Sequence, residues 1–337
     1  MGEFELLERI REKLPPAGSR VRLGSGDDAA IVVPGGATAT SVDALVDGVH
    51  FRRSWSSLEQ IGHKALAAAL SDLAAMGAEP GEAYVVLGVP TDLDEDGCLE
   101  LLGGVSALAT ETGTTLAGGD VTRSPVLTVT MTVVGHASSP EELVTRAGAR
   151  PGDALVVTGE LGGAAAALLL LEDRTEVPSR FPAHSKEKCE RDGLLSRQLE
   201  PQPRLAAGRA LAEAGATAMI DLSDGLGGDA AHIAAASGVG LRIDAGSLPL
   251  AAGVPEIARA AGRDQMELAA SSGEDYELLA ALPPDRFEKA VKLVARAGAE
   301  LTRIGEIVAG EGVEIRLPDG ALLKPAGFDQ LGQLPPR

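Results

Sequence analysis

A two-domain protein of mixed α/β class is what the sequence predicts, and three observations lead there. The chain has 337 residues, more than the roughly 100–200 that one domain usually takes. Short β-branched runs alternate along it with Ala- and Leu-rich stretches of helical character, the pattern of interleaved strands and helices. One long strand pattern ends where Ser138, Ser139 and Pro140, then Arg150, Pro151, Gly152 and Asp153, mark turns, which sets residues 1–140 apart from 150–337.

The elements follow in order. Residues 4–14 read as an acidic amphipathic helix, with neither the basic start nor the apolar core of a signal peptide. β-branched and apolar runs predict strands over 29–33, 39–46, 83–89 and 126–135 in the first half, and over 154–158, 218–222, 241–244, 277–282 and 314–317 in the second. Strong helix formers predict helices over 58–76 and 96–112, then over 163–171, 192–199, 205–214, 226–236 and 286–297. Residues 172–188 are polar, proline-containing and aperiodic, and read as a surface loop. The apolar run 161–171 is broken by Gly162 and Gly163 and is shorter than the ~20 residues that span a bilayer, so no membrane segment is expected.

Composition narrows the function. The formal charge of −19 excludes a phosphate-neutralising nucleic-acid binder. Aromatic residues make up only 2%, so Ala, Val and Leu must build the core. Cys98 and Cys189 form neither a disulfide framework nor a zinc site, and a reducing cytoplasm is the expected location.

Carboxylates recur beside glycine or at the ends of apolar runs: Asp27 and Asp28, Asp43 and Asp47, Asp72, Asp120, Asp221 and Asp224, Glu274 and Asp275. Asp beside Gly is common turn chemistry, but Asp72 falls on the helix face of Ile61, Ala65, Ala68, Ala69 and Met76, where a buried charge needs compensation. Together these acids point to a hard divalent cation, which takes oxygen ligands and bridges carboxylates to phosphates. Residues 221–232 depart from the EF-hand pattern, and no GxxxxGK[ST] occurs. The turn at 159–165 opens a helix whose N-terminal N–H groups suit an anion, or it is a plain strand-to-helix turn. His50, just past a strand end, is the histidine placed to meet a ligand.

The ordered motifs GSGDDAA (24–30), DALVDGVHF (43–51), KALAAALSDLAAMGAEP (64–80), GGDVTRS (118–124), ALVVTGELGGAAAALLLL (154–171), AMIDLSDGLGGDAAHIAAASGVG (218–240), SGEDYELL (272–279) and GFDQ (327–330) resemble the thiamine-monophosphate kinase family. That family lies within the aminoimidazole ribonucleotide synthetase-like superfamily of ATP-binding proteins. The resemblance implies two α/β domains, with the N-terminal one forming the sheet of a homodimer. It implies several Mg²⁺ ions on Asp27, Ser41, the Val42 backbone, Asp43, Asp72, Asp120, Asp221 and Asp224, with Asp43, Asp72 and Asp120 at the reacting phosphates. ATP contacts are implied for Gly119, Asp120, Arg146 and Ser223, and thiamine monophosphate contacts for His50, Glu274 and Phe328. The chain departs from the family near Thr112, where an aromatic is often found, and in its tail, where the family usually has a larger aromatic followed by Asp-His-Phe.

The activity so implied is ATP-dependent phosphorylation of thiamine monophosphate in the cytoplasm, with no nucleic acid or membrane as partner. Other readings of the same acids are a different ATP-using member of the superfamily, such as aminoimidazole ribonucleotide synthetase, and a non-catalytic divalent-cation binder.

Overall fold

The computed structural model describes residues 9–24, 29–173 and 185–328. Two compact units emerge, each with its own sheet. The first comprises the described residues of Met1–Ala74 with Ala78–Leu143 and Leu199–Leu205; the second comprises Ala75–Gly77, Val144–Gln198 and the described residues of Ala206–Arg337.

In the first unit a short antiparallel pair, β1 (Val21–Leu23) and β2 (Ile31–Val32), accompanies a four-stranded sheet. That sheet contains β3 (Ala37–Val46), β4 (Glu79–Val89), β5 (Thr115–Arg123) and β6 (Thr128–Ala137), in the order β3-β6-β4-β5. β6 runs antiparallel to both neighbours, whereas β4 and β5 are parallel. A parallel pair needs a crossover, which is helix α2 (Glu95–Thr112), capped by the Asp94 carboxylate on Gly97 N–H and closed by left-handed Gly113. Helix α1 (Leu58–Ala75) is buried almost all round from Lys64 onward, as a helix apolar on every side must be. Along β3 the odd positions Ala39 and Leu45 are buried while Thr38, Thr40, Val42 and Ala44 are exposed, so one sheet face carries the core and the other is open.

The second unit is built on a seven-stranded sheet. Its strands are β7 (Ala154–Thr158), β8 (Ala218–Asp221), β9 (Gly240–Asp244), β10 (Leu278–Leu282), β11 (Leu301–Val308), β12 (Gly312–Arg316) and β13 (Leu322–Leu323). They lie in the order β13-β12-β9-β11-β7-β10-β8, with only β9 and β12 parallel. β7, β8 and β10 are buried at every position, as strands covered on both faces are. The helices are α3 (Gly163–Asp173), α4 (Ser185–Leu199), α5 (Leu205–Ala214), α6 (Leu226–Ser237), α7 (Val254–Ala260), α8 (Gln265–Ser271) and α9 (Phe287–Arg296). Among the described residues Phe51 and Tyr276 are the only aromatics in the buried core, which is otherwise built of Ala, Leu, Val, Ile and Met with one Cys.

Several elements differ from the sequence expectation. β5 was hidden by its glycines, which carry no β-branched signal; Gly119 is there because a Cβ would sit 2.1 Å from the Val85 carbonyl oxygen of the parallel neighbour. α7 and α8, each seven residues long, are too short to display a helical period. Of the loop expected over 172–188, residues 172–173 end α3 and 185–188 begin α4, and residues 174–184 lie outside the described residues. Of the helix expected over 4–14, residues 9–13 are helical and 1–8 lie outside the described residues. No described helix is long and apolar enough to cross a membrane.

Helices α1 and α2 meet backbone to backbone. A Cβ on Gly104 would lie 1.9 Å from the Glu59 carbonyl oxygen, whereas one on the neighbouring Gly103 would meet nothing within 4 Å. Gly→Ala inside a helix is intrinsically worth about 1 kcal/mol, so Gly103→Ala is expected to stabilise the protein slightly. Gly104→Ala must instead push two helices apart and is expected to destabilise it by about 1–3 kcal/mol. Urea denaturation midpoints of the two variants, moving in opposite directions, check this.

Candidate active site

The first unit presents its candidate ligands from β3, α1 and β5. Ser41, Val42 and Asp43 are consecutive on β3, and the Ser41 hydroxyl donates a hydrogen bond to the Asp72 carboxylate on α1. Asp72 is half-buried rather than sealed in the core, so its charge is compensated by this hydroxyl at the edge of the helix layer. Strand register separates the rest. Asp43 shares a cross-strand row with Met131, Val85 and Gly119, while Asp120 belongs to the next row, with Ala44, Thr130 and Val86. Adjacent rows project to opposite faces, so Asp43 faces the helices and Asp120 stands on the open face. Asp27 lies outside the described residues.

His50 sits in the turn after β3. Left-handed Gly48 reverses the chain, its N–H bonding the Phe51 carbonyl at 2.8 Å, and Arg53 ties Asp47 to Asp92 at 3.0 and 2.7 Å. The Val46 N–H donates to His50 Nδ1 at 3.1 Å, which places the proton of the neutral ring on Nε2 as a donor.

The second unit gathers its candidates more tightly. The segment after β8 pairs by main-chain bonds with the one before β10: Leu222 N–H to the Glu277 carbonyl, Tyr276 N–H to the Leu222 carbonyl and Glu274 N–H to the Ser223 carbonyl, at 2.8, 2.9 and 2.9 Å. Asp221, Ser223, Asp224 and Glu274 are thereby held in one strip. Phe328 joins it through its N–H to the Asp224 carbonyl at 2.9 Å, with its ring half exposed. Glu274 and Tyr276 both adopt positive φ, +72° and +49°, a region costly for residues other than glycine. Arg146 is exposed, and its charge reaches Asp229.

Two further carboxylates hold this strip in place, and neither was assigned a role from sequence. Asp229, on α6, accepts from the N–H groups of Asp224 and Gly225 at 3.1 and 3.0 Å. Burial, reinforced by the charge of Asp224, pushes its pKa up to about 7. Asp275 accepts from Gly162 N–H at 2.9 Å and Ala164 N–H at 3.4 Å, filling the N-terminus of α3. The helix start at the 159–165 turn, which the sequence left open to an anion or to none, is filled by this side chain of the protein itself. Burial pushes Asp275 up to about 7 as well, with the two N–H groups pulling the other way. Gln198, at the end of α4, donates to the Glu274 carboxylate at 2.6 Å; a polar helix end carries no sequence signal for such a contact.

Donors of Asp, Ser and backbone carbonyl type are all oxygen, the set a hard cation such as Mg²⁺ takes. The Ser41–Asp72 contact already brings two of them together. Among the described residues no three His, Cys, Asp or Glu side chains gather into a metal cluster.

Residues 26–137 match the AIR synthase related protein N-terminal domain, and residues 150–318 match the C-terminal domain of the same family. The thiamine-monophosphate kinase of Salmonella typhimurium is 36% identical over 334 residues, covering 98% of this chain and 97% of the relative. The chain belongs to the thiamine-monophosphate kinase family. Within that family, the solved kinase of Stenotrophomonas maltophilia superposes with a TM-score of 0.80 at 35% identity, covering 95% of this chain and 97% of that one. The solved complex of AaThiL with AMPPCP and TMP gives a TM-score of 0.76 at 29% identity, covering 98% and 97%. The two matched domains contain every candidate site residue except Arg146 and Phe328.

Asp275 yields a pH prediction. Its pKa of about 7 in the folded protein stands above the ordinary 3.8, so the folded state keeps a proton that the unfolded state has lost. Stability from this group is full below about pH 4 and falls as pH rises through 7, by up to about 1.4 kcal/mol per pH unit. Asp275→Asn removes that slope. Urea denaturation at pH 5 and pH 8 is expected to show the variant gaining on the wild type as pH rises; a gap that does not change with pH would contradict the assignment.

Proposed function

We propose that this protein transfers the γ-phosphoryl group of ATP to thiamine monophosphate, giving thiamine diphosphate. The observation that carries the reading is family membership along nearly the whole chain, joined by the likeness to a kinase solved with AMPPCP and TMP.

The chemistry needs little beyond positioning. Thiamine monophosphate is anionic near neutral pH, so its phosphate oxygen attacks without a dedicated general base, and the main barrier is repulsion between donor and acceptor. In the first unit Asp27, Ser41, the Val42 carbonyl, Asp43 and Asp72 would hold Mg²⁺, with Asp120 on the other sheet face serving a separate ion, and in the second unit Asp221 and Asp224 would do the same; the charge of these ions would offset that repulsion. Gly119, Arg146 and Ser223 are assigned to ATP. His50 donates from Nε2 to the substrate phosphate, and Glu274 and Phe328 receive the cationic ring, the aromatic face adding about 0.5–2 kcal/mol. ATP as co-substrate fits a cytoplasmic enzyme. We further propose a homodimer formed on the open face of the four-stranded sheet. Val42 and Val86, 62% and 40% exposed, support this, because such apolar surface on a flat sheet gains from pairing.

Incubation with ATP, Mg²⁺ and thiamine monophosphate is expected to yield thiamine diphosphate, and unphosphorylated thiamine is expected to be inert because His50 has no phosphate to read. No product above a protein-free control sinks the reading. Asp43→Asn is expected to lower turnover by about 10²–10³-fold. For the dimer, light scattering should return twice the chain mass for the wild type and a smaller mass for Val42→Glu; a monomeric wild type removes the proposal.

A further inference from the structure

We propose that Gln198 is a positioning residue for thiamine monophosphate, its side-chain amide holding the Glu274 carboxylate oriented for the cationic ring of the substrate. The proposal rests on the reading that Glu274 meets that ring. Gln198 Nε2 lies 2.6 Å from Glu274 Oε2, and an ionised carboxylate only accepts, so the amide must donate. Gln198 is 6% exposed, and an amide so far from water costs free energy unless hydrogen-bonded.

Both sides of this contact are anchored. On one side, Arg197 bonds the Glu160 carboxylate at 2.5 Å and the Glu160 carbonyl at 3.4 Å, pinning the last turn of α4 to the turn that opens α3. On the other, the Glu274 main chain is held at φ +72° by its N–H bond to the Ser223 carbonyl, and neighbouring Asp275 is locked onto Gly162 and Ala164. The same glycine turn thus braces Arg197 and Asp275, and Gln198 and Glu274 meet between fixed supports. The residue type matters. A neutral amide orients the carboxylate, yet leaves the negative charge available to a cation. A Lys or Arg at this position would orient it equally well and cancel that charge.

Steady-state kinetics of the full-length enzyme with ATP and thiamine monophosphate test the idea. Losing one hydrogen bond of ordinary net strength, felt through the orientation of Glu274, predicts a rise of about 3–10-fold in the KM for thiamine monophosphate in Gln198→Ala. Gln198→Met, which fills the space without a donor, is expected to match it, and keeps the test alive should the smaller residue disturb folding. Gln198→Lys is expected to raise this KM further. The KM for ATP and kcat should stay within about twofold in all three, a split that a general packing defect does not produce. In a Glu274→Gln background, Gln198→Ala is expected to add nothing. Equal rises in both KM values, or effects that multiply in the double variant, overturn the role of Gln198 alone. A Glu274→Gln variant with an unaltered KM for thiamine monophosphate overturns the Glu274 reading and the proposal with it.

Discussion

Buried carboxylates gripping main-chain N–H groups are the interaction on which the candidate strip of the second unit depends. Asp229 holds the loop after β8, and Asp275 holds the start of α3. Each of these hydrogen bonds contributes about 0.5–1.5 kcal/mol, and more when the carboxyl is ionised. Positive φ at a residue other than glycine costs on the order of 1–3 kcal/mol, so the strain at Glu274 and Tyr276 is of a size these bonds can sustain. Nearby, Thr158 links β7 to Glu277 at 2.7 Å and accepts from Leu278 N–H at 2.8 Å. The strip that carries Asp221, Ser223, Asp224 and Glu274 is therefore braced from both flanks.

An acidic chain thus uses its carboxylates in two ways. Asp94, Asp153, Asp229, Asp264 and Asp275 are satisfied from within by N–H or hydroxyl donors, and such groups need no cation. Asp120, exposed on the open sheet face, and Asp43, turned toward the helices, are instead among the acids proposed to hold Mg²⁺. With a formal charge of −19, a protein handling two phosphorylated substrates depends on cations to bring them in, and the proposed division of labour puts those cations on the second group of acids.

Much of this was legible in the residues. Ala154–Thr158 and Leu205–Ala214 stand where their patterns put them, and the long helices α1 and α2 agree to within a residue, because period and propensity are local and dense in those stretches. Family membership was legible for another reason: motifs that are weak singly become specific when they recur in one order. Glycine-rich β5 and the short α7 and α8 escaped, since neither composition nor period can declare a strand made of glycine or a helix of two turns.

The sequence by itself determined the mixed α/β class, the family and the residue types available for oxygen ligation. Only the tertiary structure decided which acid does what. Asp275 reaches an N–H group 113 residues away and Gln198 a carboxylate 76 residues away. Strand register alone turned Asp43 and Asp120 to opposite faces. Those outcomes follow from which backbone groups burial leaves without a partner, and that is settled when distant segments pack together.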